Sequence, residues 1–432
     1  MRARSLPLSL ALLLSVSDCT SASFVSRMHD KATRHTKAFA RDIRAAFAPI
    51  LPRQDDSAQQ RLTYCKLTDN GLTGNSGGGG GNTSSGEGAT TYSGHGGSGG
   101  GWGTATGSAS SAAPTGSSVN SPWKLVQELS GSGFFDESNW EYWSSKDPTN
   151  GFVDYLTASD GWANNLLEIN DDGHAIMRVE TTGTVGDEGR KSIRIHSKST
   201  YNIGTLSIMD AKHMPTGCGS WPAWWSNGPN WPIGGEIDIL EGVNDYTNNQ
   251  YTIHTDSGCR LTTDDASKLD ITGTVVGGTN CAAHETGNQG CGVRSPSNVS
   301  FGAAFNGNNG GVYALSWTDE GLAIWFWPTD EVPSDVTAGT PVPSTWGTAA
   351  ARWAASGCDP SKYFYDNTFI FDTTFCGDWA GSAWSNSGLP GQEESCAART
   401  GYSTCEDYVR NKGGSFTEAY WEIRSVKFYS LK

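Results

Sequence analysis

From Trp123 onward the chain breaks into short runs in which β-branched or aromatic residues recur at every second position, separated by glycine, asparagine, proline or aspartate. A period of two puts one set of side chains on each face of an extended strand, and a helix cannot use it. SIRIHSKS (192–199), VYALSW (312–317), LAIWFW (322–327), FIFDTTF (369–375) and YWEIRSVKFYS (420–430) all read as strands. LLEINDDGHAIMRVE (166–180) reads as two strands about an Asp-Gly turn. No stretch in this region holds a long helical period, and no repeat of fixed length marks a propeller. About 310 residues of short strands predict an all-β fold, a sandwich or a barrel.

The residues before this region have a different character. MRARSLPLSLALLLSVSDCTSASF opens with two arginines, continues with an apolar run from Leu6 to Val16 and ends in small residues. It is expected to be a signal peptide over 1–22, because the run is too short to span a bilayer. Residues 23–69 form a basic N-terminal segment with helix-forming residues. A propeptide, a surface-binding arm and a disordered lead-in all fit it. Residues 70–121 are mainly Gly, Ser, Thr and Ala, with Glu87 as the one acid and no Lys or Arg. Such a composition buries no core, so a flexible linker is expected, spanning roughly 40 Å as a random coil. The candidate for the folded domain is then 122–432.

Charge separates these parts. Residues 1–121 carry 11 Lys/Arg against 7 Asp/Glu, and the remainder 19 against 38. So acidic a domain disfavours nucleic acid and anionic membranes as partners and is compatible with a neutral substrate. Cysteine usage fits export. Eight of the ten cysteines (218, 259, 281, 291, 358, 376, 396 and 405) lie in the later domain. An even set in a secreted domain predicts up to four disulfides, of undetermined connectivity. Cys65 has no assigned role. The sequons at Asn82 and Asn298 agree with a secreted glycoprotein.

GGEIDILEGVN (234–244) carries the chemistry. Glu236 and Asp238 share one strand face, while Ile237 and Ile239 take the other. Glu241 is out of step by one residue. A β-bulge around Leu240 would absorb the extra residue and return Glu241 to the acid face. Four effective steps then separate the glutamates, roughly 13 Å between Cα atoms, which two long side chains leaning inward would close to the ~5–5.5 Å of a retaining glycosidase. Three crowded carboxyls cannot all ionise cheaply, so at least one must hold its proton. A solvated acidic strand face and an oxygen-ligand metal site are the alternatives on pattern alone.

GEIDILEG resembles the E-I-D-x-x-E signature of glycoside hydrolase family 16 in its bulged, laminarinase-type form. DPTNGFVDY (147–155), SIRIHSKS, HMPTGCGSWPAWW (213–225), GPNWPIGGEIDILEGVN (228–244), IHTDSGC (253–259), FCGDWAG (375–381) and EAYWEIRSVKFY (418–429) resemble the fungal endo-β-1,3(4)-glucanases of that family, in the same order. The resemblance implies a β-jelly-roll sandwich of the concanavalin A type, with a glucan cleft on its concave face. It implies Glu236 as nucleophile, Glu241 as general acid/base and Asp238 as the acid that tunes Glu236. It also implies a substrate-binding set of His254 near the acid/base, Trp225, Trp231 and Arg194. Unaided, Trp221, Trp224 and Trp225 read mostly as core, and His254 as an ordinary partly buried histidine. Thr329, in IWFWPTDEVP, stands where the family pattern has arginine.

The expected function is a secreted, endo-acting retaining β-glucanase acting on β-1,3- or mixed β-1,3/1,4-glucan, and association with a cell wall is compatible with it. A monomer is expected, with β-glucan as partner and no membrane span. No cofactor or metal is needed; a structural calcium ion is compatible with the chain but demanded by no feature. A wall transglycosylase and a non-catalytic glucan-binding protein are the alternatives. The bulged spacing disfavours the first and the presence of both glutamates disfavours the second.

Overall fold

A computed structural model describes residues 120–432. The signal peptide, the basic segment, Cys65, the Asn82 sequon and all but the end of the linker lie outside them. The linker was expected to run through Ser121, but Ser121 is already buried in the domain, its hydroxyl donating to Pro341 O at 2.6 Å.

Two large antiparallel sheets face each other. The first runs β16 (Ala351–Ala354), β15 (Gly321–Pro328), β14 (Gly311–Thr318), β8 (Thr205–His213), β18 (Tyr420–Leu431), β5 (Ala175–Arg178) and β4 (Leu167–Ile169), with β1 (Trp123–Ser130) also paired to β18. The second runs β12 (Thr274–Val276), β13 (Cys291–Arg294), β11 (Gln250–His254), β10 (Glu236–Glu241), β9 (Ser220–Asn227), β17 (Thr368–Phe375), β7 (Arg194–Ser197) and β2 (Trp140–Tyr142). A short parallel pair, β3 (Val153–Tyr155) with β6 (Arg190–Ser192), stands apart. Sequential hairpins alternate with pairs distant in sequence, such as β8 with β18 and β9 with β17, as in a jelly roll.

The alternation seen in the sequence decides which face of each strand is dry. Met209, Leu315, Ile324 and Phe428 of the first sheet meet Ile195, Trp224, Ile237, Ile253 and Phe371 of the second in one buried core. Rings cross the interface, with Phe369 against Phe428 at 4.9 Å and Phe371 against Trp421 at 5.4 Å between centroids. Each such ring removes 150–250 Å² from water, which is why aromatic-rich strands hold two sheets together. Helices are brief: the longest among the described residues, Cys405–Asn411, has seven residues. No helix among the described residues is long and apolar enough to cross a membrane.

The eight cysteines of the domain form four disulfides: Cys218–Cys396, Cys259–Cys358, Cys281–Cys291 and Cys376–Cys405. Two of them tie the loop-rich stretch after β17 to the second sheet.

Candidate active site

Strand β10 starts from a glycine-built turn. Gly228 N–H donates to Gly235 O at 2.8 Å, and Gly235 has φ +75° with Tyr363 O only 2.3 Å from where a Cβ would stand. A side chain there would clash and strain the backbone, so glycine is required. From this fixed start Ile237 and Ile239 enter the core, both with no exposed surface.

Register then settles the spacing of the acids. On β9, Glu236 faces Asn227, Asp238 faces Trp225, Leu240 faces Trp224 and Glu241 faces Ala223. Six residues of β10 are matched by five of β9, with the slip between Asp238 and Leu240. The bulge expected around Leu240 is therefore present, with Ile239 as the residue lacking a counterpart. All three acids stand on the face away from the core. Pairing to β11 stops earlier, after Glu236 with His254 and Asp238 with Thr252. The backbone around the bulge is held instead by a side chain. Asn249 Nδ2 donates to Ile239 O at 2.9 Å, and its Oδ1 accepts from Glu241 N–H at 2.8 Å.

The three carboxyls have distinct surroundings. Asp238 is 2% exposed. Burial, reinforced by the nearby charges of Glu236 and Glu241, pushes it well above the usual carboxylate range, and it shares a hydrogen bond with Glu236. Glu241 is raised to about 8, chiefly by burial, against the opposing pull of the Trp221 Nε1–H bond to its Oε1 at 2.8 Å. Glu236 accepts a hydrogen bond from Trp231 Nε1, on the turn before β10. At neutral pH the buried Asp238 and the raised Glu241 keep protons, which spares the site two adjacent charges.

The substrate-binding set expected from sequence divides. Trp225 lies on the acid face, cross-strand from Asp238, and Trp231 is 40% exposed beside Glu236. Both offer ring surface. His254 was expected near Glu241; it faces Glu236 across the β10–β11 pair, with its Nε2 3.5 Å from Asp238 Oδ2. The reason is register: β11 pairs only the start of β10. Burial pushes His254 down, so it is neutral.

Arg194 was also expected to bind sugar. It is 3% exposed, with its guanidinium between the rings of Trp143 and Trp225 at 5.2 Å each and Nη1 at 3.7 and 3.8 Å from Asp147 and Asp372. It supports Trp225 from behind and has almost no surface for a ligand. Asp372, which was not singled out from sequence, faces the same side of the sheet. It accepts from Trp225 Nε1 and Tyr155 OH, both at 3.1 Å, and burial raises it to about 6 against the pull of Arg194. Its signal in the sequence was a lone acid inside the apolar run FIFDTTF. Of the tryptophans read as core, Trp224 is fully buried, whereas Trp221 reaches Glu241 with its ring nitrogen.

Outside the disulfides, two clusters among the described residues bring metal-ligating atom types together. Glu236, Asp238 and His254 bring donor atoms within 4.8 Å of one another, as do Asp172, His174 and Glu422. In the second cluster the Lys212 ammonium lies 3.1 Å from Glu422 and 3.8 Å from Asp172, so a cation is already supplied. The first belongs to the acid face itself, where His254 Nε2 stands 3.5 Å from Asp238 Oδ2.

A two-sheet sandwich with two glutamates about a buried aspartate and open indole rings defines the molecule as a carbohydrate-cleaving hydrolase. Comparison with known proteins makes this specific. Residues 140–429 match the family model described as the XgeA-like catalytic domain of glycoside hydrolase family 16, and the chain belongs to that family. A probable glycosidase of Schizosaccharomyces pombe is 42% identical over 310 residues, covering 71% of this chain and 69% of that protein. Probable endo-1,3(4)-β-glucanases of Aspergillus species are 38% to 40% identical and longer, and the alignments span 40% to 48% of their length. Among solved structures, laminarinase 16A of Phanerochaete chrysosporium, with β-glucans in donor and acceptor sites, is 37% identical (TM-score 0.64; 71% of this chain, 99% of that one). An elongating family 16 β-1,3-glucosyltransferase is 39% identical (TM-score 0.63; 71% and 100%). The protein is a glycoside hydrolase of the jelly-roll type.

Proposed function

We propose that the protein is a secreted, endo-acting β-glucanase that cleaves β-1,3- or mixed β-1,3/1,4-glucan with retention of anomeric configuration. The observation that carries this reading is the bulge, which puts Glu236 and Glu241 on one face about a proton-holding Asp238. Glu236 attacks the anomeric carbon. The glycosidic C–O bond breaks as Glu241 gives its proton to the leaving oxygen, and a glycosyl ester forms on Glu236. Glu241, now a carboxylate, takes a proton from water, and that water releases the sugar. A Glu241 raised to about 8 holds the proton for the first step near neutral pH. Asp238 donates its hydrogen bond to Glu236 and keeps the negative charge of the site on the nucleophile. Trp231 and Trp225 offer flat apolar surface to sugar rings. No cofactor takes part, and the enzyme acts as a monomer. Four disulfides support an oxidising, extracellular setting.

A second reading is transfer of the glycosyl group to another glucan in place of water, favoured by the likeness to an elongating glucosyltransferase. It shares the first half of the mechanism.

The test is reducing-sugar release from laminarin and from mixed-linkage glucan by wild type, Glu236→Gln and Glu241→Gln, with proton NMR of the first-formed anomer. Hydrolysis is expected to fall at least about 100-fold in both variants, with β-anomer released first. Products longer than the substrate would move the assignment to transfer. Folded wild type that binds glucan yet neither releases reducing sugar nor forms products longer than the substrate would overturn both readings.

A further inference from the structure

We infer that Asn249 is a positioning residue for Glu241, its side-chain amide serving as the strand partner that the bulge removes. This rests on the reading of Glu241 as general acid/base. Hydrogen-bonded pairing between β10 and β11 ends at Asp238 with Thr252. Beyond that point the extra residue carries Ile239 and Leu240 out of step, and β11 starts only at Gln250. The Ile239 carbonyl and the Glu241 N–H would then lack strand partners in a fully buried place, since Ile239 and Leu240 have no exposed surface. A primary amide carries a carbonyl acceptor and two N–H donors, so it can supply both the acceptor and the donor that a peptide unit would. Asn249 presents both groups at once, 2.9 Å to Ile239 O and 2.8 Å to Glu241 N.

Asn249 is itself fixed. It has no exposed surface, its own N–H donates to Ser300 Oγ at 2.9 Å, and its carbonyl accepts from Ser295 N–H at 2.8 Å. The position of the Glu241 backbone is thereby tied to β11 through a rigid side chain rather than a ladder. Trp221 fixes the far end of the same residue through the carboxyl. Glu241 is thus held at both ends, and the Asn249 end sets where its Cα stands relative to Glu236.

The alternative is that Asn249 merely satisfies buried backbone and supports folding. The two roles separate by leaving group. A glucan alkoxide needs the acid's proton to leave, whereas dinitrophenolate leaves without it, so misplacing the acid hurts only the first. The experiment compares kcat/KM on laminarin and on a 2,4-dinitrophenyl β-1,3-gluco-oligosaccharide for wild type, Asn249→Ala, Asn249→Asp and Glu241→Gly, with and without azide. Thermal unfolding identifies the folded variants. Asn249→Asp keeps the acceptor for Glu241 N–H and loses the donor to Ile239 O, and so remains informative if the alanine variant does not fold.

The expected result for Asn249→Ala is a fall of about 30- to 100-fold on laminarin and less than about 3-fold on the aryl substrate. Azide, attacking the glycosyl ester in place of water, should raise its kcat on the aryl substrate. Asn249→Asp should show the same selectivity to a smaller degree. Equal losses on both substrates in folded variants would overturn the positioning role. Glu241→Gly is the control for the underlying reading: if it shows neither leaving-group selectivity nor azide rescue, the acid/base assignment itself fails, whatever Asn249 does.

Discussion

Glu241 sits in a balance between burial, which favours its neutral form, and one ring N–H, which favours its charge. Trp221 Nε1 supplies that bond at 2.8 Å. Trp221→Phe keeps the ring and removes the donor, so the proton should be held more tightly. The alkaline limb of the kcat/KM profile is expected near pH 8 in wild type and should move upward in the variant, with a drop of about 10-fold in kcat from looser placement. A limb that moves to lower pH would refute this account of the shift. Arg194 shows a different residue-level constraint. Its planar guanidinium lies between Trp143 and Trp225 and near two buried carboxyls. Arg194→Met should cost about 3 kcal/mol in urea unfolding, because it leaves Asp147 and Asp372 without their cation. Arg194→Lys should recover little of this, since an ammonium cannot stack between two rings. The three acids were legible from their spacing alone, because a period of two with one extra residue has few physical solutions. Asp372, Asn249 and the burial of Arg194 were not, because each depends on strands that meet only through long-range pairing.

Strand identity was written plainly in the sequence wherever one face meets the core. The hairpin read about Asp172-Gly173 pairs Leu167 with Met177 and Ile169 with Ala175, and VYALSW, LAIWFW, FIFDTTF and YWEIRSVKFYS all fall inside strands β14, β15, β17 and β18. Sheet order was not legible, since β10 lies between β9 and β11 while β9 pairs on its other side with β17, nearly 150 residues later. Disulfide connectivity was hidden for the same reason. Cys218–Cys396 closes the longest interval, with a sequence separation of 178, and fastens the segment after β17 to the approach of β9. Replacing both cysteines by serine should lower stability by about 2–5 kcal/mol, read from the midpoint of denaturant unfolding. Gly235 exerts control at the start of β10 in the same way. Gly235→Ala must move Tyr363 O or the turn itself, so activity and melting temperature should fall together, unlike the selective loss expected at Asn249.

The whole domain carries opposing titrations that bound the pH range in which it is most stable. Asp238, Glu241 (to about 8) and Asp372 (to about 6) all bind protons more tightly in the folded state than their ordinary values of 3.8 and 4.5 allow. Above those ordinary values the folded state holds protons that the unfolded chain has lost, so rising pH works against folding until the folded values are passed. His196, pushed down to about 3 by burial and Arg194, acts in the opposite sense, as do the lowered His213 and His254. Below 6.5 the unfolded chain gains protons on these rings that the folded state refuses, so falling pH also works against folding. Between about pH 4.5 and 6.5 the two sets offset, and stability should be flat and maximal there. From 6.5 to 8 only the carboxyls remain in play, and the melting temperature should decline. Glu241→Gln removes one of them and should roughly halve that decline, leaving a more stable but inactive protein at pH 8. Differential scanning calorimetry of both proteins across pH 4 to 9 measures this directly. Parallel curves would mean that Glu241 does not hold its proton in the folded state, and would remove the basis for its acting as an acid near neutral pH.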